Sequence, residues 1–101
     1  MKDGYVYILS NKKRTTLYIG VTSNIEHRIF EHKTGTGSVF TSKYKLNALL
    51  YYEYIDGISE AIDREKQLKR WRSEWKWNLI KETNPELLDL AAEWYDIDPD
   101  E

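Results

Sequence analysis

Five side chains in this sequence, Tyr7, Tyr18, Arg28, His32 and Glu65, form a set with chemical sense. The carboxylate offers one hard oxygen ligand for a divalent ion, the arginine a fixed cation for phosphate charge, and the phenols and imidazole groups that move protons. Such a combination suits phosphodiester chemistry.

Each member also has a plainer reading. Ile25, Arg28, Ile29 and His32 fall at i, i+3, i+4 and i+7, so a cation and an imidazole share a helical stripe with two isoleucines. Arg28 could equally lie along a sheet edge with its guanidinium in water, and His32 could be a helix-end residue favoured by the dipole. Glu65 projects between Ala61, Ile62 and Leu68 on an otherwise apolar face. A carboxylate there needs a cation, hydrogen bonds or a metal, and Arg28 is a candidate structural partner.

The elements that must position these groups are legible in outline. Tyr5 to Ser10 alternates around Val6 and Ile8, and after the polar run 11–16 a second strand covers Leu17 to Val21, which suggests a β-hairpin. Tyr5, Tyr7 and Leu9 then share one face. Ser23 and Glu26 fit a capping box, so a helix runs to about Lys33, where the segment Thr34 to Ser38 breaks it and spans the gap. Ala48 to Ile55 reads as a third strand ending at Asp56-Gly57. Ser59 caps a second helix running to about Arg72, with helix continuing from Trp71 to Ile80. Asn84-Pro85 is the expected start of a last helix ending near Trp94. The expected fold is α+β: a small three-stranded, largely antiparallel sheet flanked by helices. The expected domain plan is a body over 1–81, a C-terminal helix over 82–94 packed on it, and an acidic tail over 95–101.

At 101 residues the chain has room for one modest core. It has no cysteine, no apolar run of membrane length and no secretory leader, so the expected location is the cytoplasm, with no membrane partner. The net charge of −2 hides an asymmetry: residues 1–81 carry 15 bases and nine acids, whereas residues 82–101 carry eight acids and no base. A body of net +6 bears an acidic tail.

The sequence also resembles the GIY-YIG nuclease superfamily. The two name motifs are matched by Tyr5-Val6-Tyr7 and Tyr18-Ile19-Gly20, with Tyr5 where the motif has glycine. Arg28 and His32 follow in register, and Glu60 to Glu65 matches the family's Glu-Ala segment leading to its metal-binding glutamate. The late family asparagine has two candidates, Asn78 and Asn84. The resemblance spans about residues 4–80 and is nearest to small stand-alone bacterial members, related to the catalytic domains of excision-repair and homing endonucleases.

That resemblance implies a nuclease hydrolysing DNA, branched or damaged, or RNA, by a one-metal mechanism with Mg²⁺ or Mn²⁺ on Glu65 and water as nucleophile. Tyr7 and Tyr18 would face one cleft, one taking the water proton directly or through His32, while Arg28 stabilises charge on the phosphate. A phenol with a pKa near 10 would need a cation or metal to lower it. Lys43, Lys45, Lys66, Lys69, Arg70 and Arg72 could track a phosphate backbone, or simply be solvated helix faces. Trp71 and Trp75, four apart, suit packing better than base stacking. Two other classes stand beside the nuclease: a catalytically weak module binding nucleic acid or a protein partner, and an interaction protein using the stripe Leu87, Leu90, Ala91 and Trp94.

Overall fold

The computed structural model describes residues 2–96. In chain order the elements are β1 (Gly4–Ser10), β2 (Leu17–Thr22), α1 (Ile25–Lys33), α2 (Val39–Lys43), β3 (Ala48–Ile55), α3 (Ile58–Arg70) and α4 (Ser73–Thr83). β1 lies at the centre of an antiparallel sheet of order β2-β1-β3. The α+β class and the three-stranded sheet are as the sequence suggests.

Strand alternation divides the interior into two cores. Val6 and Ile8 face one side, where they meet Ile19, Leu50, Ala61 and Leu68 of α3, and Ile80 of α4. Tyr7 and Leu9 face the other, with Ile25 and Ile29 of α1, Leu46, Leu49 and Ala91. A register shift between Ile8 and Leu9 against β3 marks a bulge at Leu50, and it leaves the successive residues Leu50 and Tyr51 both in the first core. The first core anchors α3 and α4. The second carries the site.

Local chemistry moved several helix ends from their expected places. α1 is capped by Asn24, whose Oδ1 accepts from His27 N at 3.1 Å, one residue beyond the expected Ser23. α3 has no side-chain cap. Gly57, at φ +107°, takes a backbone shape that favours glycine, and Ile58 N donates to Lys2 O at 2.8 Å instead. The helix expected to pass through Trp71 breaks, because Trp71 and Arg72 are extended at ψ 153° and 150°. An unexpected short helix, α2, forms inside the connection after α1; Ser38 Oγ caps it by accepting from Thr41 N at 3.1 Å.

The helix expected over 82–94 does not form. α4 runs on to Thr83, across the expected boundary at residue 81, and a strap of turns follows. The backbone groups of this strap bond in short turns, Leu87 N to Asn84 O, Ala92 N to Asp89 O and Trp94 N to Ala91 O, and otherwise to β3 and to side chains. Asn84 Nδ2 donates to Leu50 O at 3.0 Å and Leu88 O at 2.8 Å, and its Oδ1 accepts from Leu88 N at 3.0 Å. Leu87 sits at φ +55°, which no α-helix contains. Leu90 N then donates to Leu49 O, and Asp89 Oδ1 accepts from Leu49 N. The strap still docks: Ala91 is buried, and Leu87 and Trp94 are half-buried against the two cores, with only Leu90 of the stripe left exposed. The tail expected over 95–101 lies outside the described residues from Ile97 onward. Among the described residues, no helix is long and apolar enough to cross a membrane.

Candidate active site

Tyr7 is on the central strand, paired with Gly20 of β2. Its ring is 1 % exposed and lies across that glycine, where a Cβ would overlap both the ring Cζ and the hydroxyl. The absent side chain of Gly20 is what lets the phenol cross β2 and reach α1. There Tyr7 Oη meets His32 Nε2 at 3.0 Å and accepts from Arg28 Nε at 3.4 Å.

His32 is 4 % exposed, and both its nitrogens are engaged. Nδ1 is 3.0 Å from Thr41 Oγ1, which is itself 2.8 Å from Ser38 Oγ. Gly37 backs the ring so closely that a Cβ there would overlap it. A neutral imidazole has one donor and one acceptor, so the chain from Tyr7 to Ser38 runs in one direction at a time. When Thr41 donates to Ser38, Nδ1 carries the proton and Nε2 accepts from the Tyr7 hydroxyl.

Arg28 is held from two sides, by Tyr7 and by Glu31, whose Oε1 accepts from Nη1 at 3.1 Å. It therefore follows neither plainer reading: its partner is Glu31, not Glu65, and its Nε is turned inward. Tyr18, half-buried on β2, completes the group with ring centroids 6.5 Å from Tyr7 and 5.8 Å from His32.

Burial sets the proton chemistry here. It pushes the Tyr7 phenol up to about 12, with Arg28 working the opposite way but losing to desolvation. Arg28 lowers this phenol, as expected of a cation, by less than burial raises it. Burial also pulls His32 down to about 4, helped by the Arg28 charge, so at neutral pH the imidazole is neutral and Tyr7 is protonated. Because the unfolded chain takes up this proton near pH 6.5 and the folded chain only near pH 4, stability is expected to fall as pH drops through that window. From pH 6.5 to 5 the loss is about 2 kcal/mol, read by urea denaturation, and it should vanish in His32→Gln. An unchanged pH dependence in that variant would show that His32 does not hold the lowered value.

Glu65 is not bonded to this group. It is on α3, whose Ala61 and Leu68 pack on the other core, and its carboxylate pairs with Lys69 Nζ at 3.0 Å. No hydrogen bond or ion pair joins it to Tyr7, Tyr18, Arg28 or His32 among the described residues. Its side chain is 14 % exposed whereas that of Lys69 is 52 % exposed, so the pair is loosely held. Among the described residues, no group of three or more His, Asp or Glu could hold an ion unaided. A single nearly buried carboxylate still fits Mg²⁺, which keeps several waters and takes its other oxygens from phosphate.

The basic residues are drawn from two stretches of the chain. Lys43 and Lys45 are exposed at the end of α2, Lys66 and Arg70 are exposed on α3, and Arg72 stands over the Trp75 ring at 5.5 Å. Of the two tryptophans expected to pack, Trp71 lies against the first core with Trp77, whereas Trp75 is 48% exposed and meets Trp71 edge-on at 6.1 Å. Of the two asparagines, Asn78 is exposed and Asn84 serves the strap. Thr41, Glu31 and Gly37 escaped the reading of the sequence; Ser38 three residues before Thr41 was the available signal, as a cap opening a short helix.

Residues 3–85 match the family model described as the GIY-YIG catalytic domain. A UPF0213 protein of Syntrophus aciditrophicus is 40% identical over 87 residues, covering 85% of this chain and 98% of the relative. One from Staphylococcus haemolyticus is 37% identical over 82 residues, covering 81% of this chain and 99% of the relative. The solution NMR structure of the UPF0213 protein BH0048 from Bacillus halodurans superposes with a TM-score of 0.54 at 26% identity, over 83% of this chain and 88% of that one. With the family model spanning most of its length and relatives up to 40% identical over most of the chain, this chain belongs to the GIY-YIG catalytic domain family.

Proposed function

We propose that this chain is a divalent-metal-dependent phosphodiesterase that cleaves DNA or RNA in the cytoplasm. The observation that carries the proposal is the junction of Tyr7, His32 and Arg28 over Gly20, where an acid, a base and a cation meet within hydrogen-bond reach. Family membership supports a nuclease-type activity and a nucleic-acid substrate.

Arg28 binds the phosphate and stabilises its growing charge, its guanidinium pre-set by Glu31 and Tyr7. Tyr7 orients the attacking water. Neither a standing phenolate nor an imidazolium exists at neutral pH, so the proton moves in one concerted relay. Tyr7 Oη takes the water proton as its own passes to His32 Nε2, while the water oxygen bonds to phosphorus and the bond from phosphorus to the leaving sugar oxygen breaks, that oxygen taking a proton from solvent. Thr41 fixes the imidazole orientation for that transfer. Tyr18 walls the cleft beside both rings. Glu65 would hold Mg²⁺ or Mn²⁺, which supplies Lewis-acid stabilisation of the phosphate and a more acidic water.

Glu65→Gln keeps the side chain's shape and removes its charge. It is expected to keep the fold by circular dichroism and lose Mn²⁺-dependent cleavage of a labelled oligonucleotide by at least about 10²-fold. Broadening of nearby NMR signals by Mn²⁺ should disappear with it. Undiminished cleavage would remove Glu65 from the mechanism. The lack of any bond between Glu65 and the other four favours one second reading, a domain that binds nucleic acid without cutting it; retained binding with no turnover in the wild type is the outcome that selects it.

A further inference from the structure

α2 is five residues long, and of its side chains only Thr41, which faces His32, is buried. Val39 and Phe40 of α2 and Tyr44 just after it present apolar surface to solvent, 86%, 46% and 49% exposed. These rings are ordered against one another. Phe40 stacks on Tyr18 at 6.2 Å and 29°, and Tyr44 meets Phe40 at 4.8 Å. Since Tyr18 also touches His32, an aromatic ladder runs from the candidate active site outward to solvent.

The stretch of chain that carries the ladder's outer rings has charge of one sign. Between Glu31 and Glu53 the sequence contains no acid and three lysines. Lys33 is engaged by Asp89 at 2.6 Å, which leaves Lys43 and Lys45 beside the rings. Their backbone is pinned by Leu46, fully buried behind them, and by Lys45 at φ +54°. Along the adjacent side of α2 runs an open groove of about 520 Å³, lined by Gly35, Thr36, Ser38, Val39, Ser42 and Lys43. Hydroxyls and an ammonium there suit a sugar-phosphate backbone.

We propose that Tyr18, Phe40 and Tyr44, with Lys43 and Lys45, form a stacking platform for unpaired nucleotides, so that the substrate presented to Tyr7 and His32 is single-stranded or carries an unpaired segment. This deepens, and rests on, the nucleic-acid reading of the site. Bases in a duplex cover one another's faces, so an exposed aromatic ring gains contact only with an unstacked base. Lysines without aromatics would serve a duplex backbone equally well.

The test is fluorescence anisotropy with the full chain in EDTA, using labelled oligothymidylate, oligouridylate and a blunt duplex of equal length. Because EDTA stops cleavage, the result is independent of whether the chain is a nuclease. The wild type is expected to bind a single strand at least tenfold more tightly than the duplex. Phe40→Ala and Tyr44→Ala should each weaken single-strand binding by roughly tenfold and change duplex binding less than about twofold. Phe40→Leu, which keeps apolar volume but removes the ring, should behave as Phe40→Ala and guards against a fold effect. The oligothymidylate and oligouridylate arms assign the platform to DNA, RNA or both. Equal losses for single strand and duplex, duplex preference, no binding of any probe, or sedimentation showing that the patch joins two copies of the chain would each overturn the proposal.

Discussion

Tyr7→Phe is expected to leave the fold intact and lower phosphodiester cleavage on the order of 10²–10⁴-fold, the usual contribution of a positioned general acid or base. The substitution removes one oxygen from a ring that otherwise fills the same space between Leu9, Ile29 and Leu49. That oxygen joins His32 to Arg28, and no other described atom bonds to both. Losing it leaves a buried imidazole nitrogen unpaired, a cost of about 1–3 kcal/mol, within what a small domain tolerates. Binding measured in EDTA should stay near wild type, because Arg28 and the lysines remain. Cleavage by Tyr7→Phe at the wild-type rate would remove the phenol from the chemistry and shift the role to Tyr18.

Gly20→Ala is expected to lower both stability and cleavage, although the residue carries no functional group. A methyl group at this position would occupy the space of the Tyr7 ring and hydroxyl. β2 is paired along its length to β1, so the strand cannot simply move away. Overpacking of this kind costs about 1–3 kcal/mol or more. The ring must tilt off β2, which opens the bonds to His32 and Arg28 together. Urea denaturation should show the stability loss, and cleavage should fall at least as far as in Tyr7→Phe. Placing Gly20→Ala in a Tyr7→Ala background should make the methyl nearly neutral for stability. A Gly20→Ala chain as stable and active as the wild type would mean that the phenol does not cross β2.

The parts of this molecule that were legible in its sequence are those fixed by local pattern. Alternation around Val6 and Ile8 gave the hairpin, and it sorted Tyr7 from Ile8 onto opposite faces. Helical spacing brought Arg28 and His32 to the side of α1 that meets the sheet. Glu65 was legible by type, a carboxylate among aliphatics, but not by neighbour, since whether it meets Arg28 depends on which sheet face α3 covers. The segment 84–94 was misread because the Asn-Pro start signal is local, whereas Asn84 and Asp89 bond to Leu50 and Leu49 of β3, some 34 and 40 residues back. α2 was missed because five residues give no measurable period. The overlap that excludes a side chain at Gly20 is a contact between strands, and composition does not reveal it.

The most direct test of the central claim, that Tyr7 and Glu65 serve one hydrolytic site, is a double-mutant cycle on single-turnover cleavage of a labelled single strand in Mn²⁺. Groups acting as a unit in one step are strongly non-additive. The account predicts that the wild type cleaves, and that Tyr7→Phe with Glu65→Gln is no slower than the slower of the two single variants. Losses that multiply, or a wild-type chain that binds the strand and leaves it whole, would contradict it.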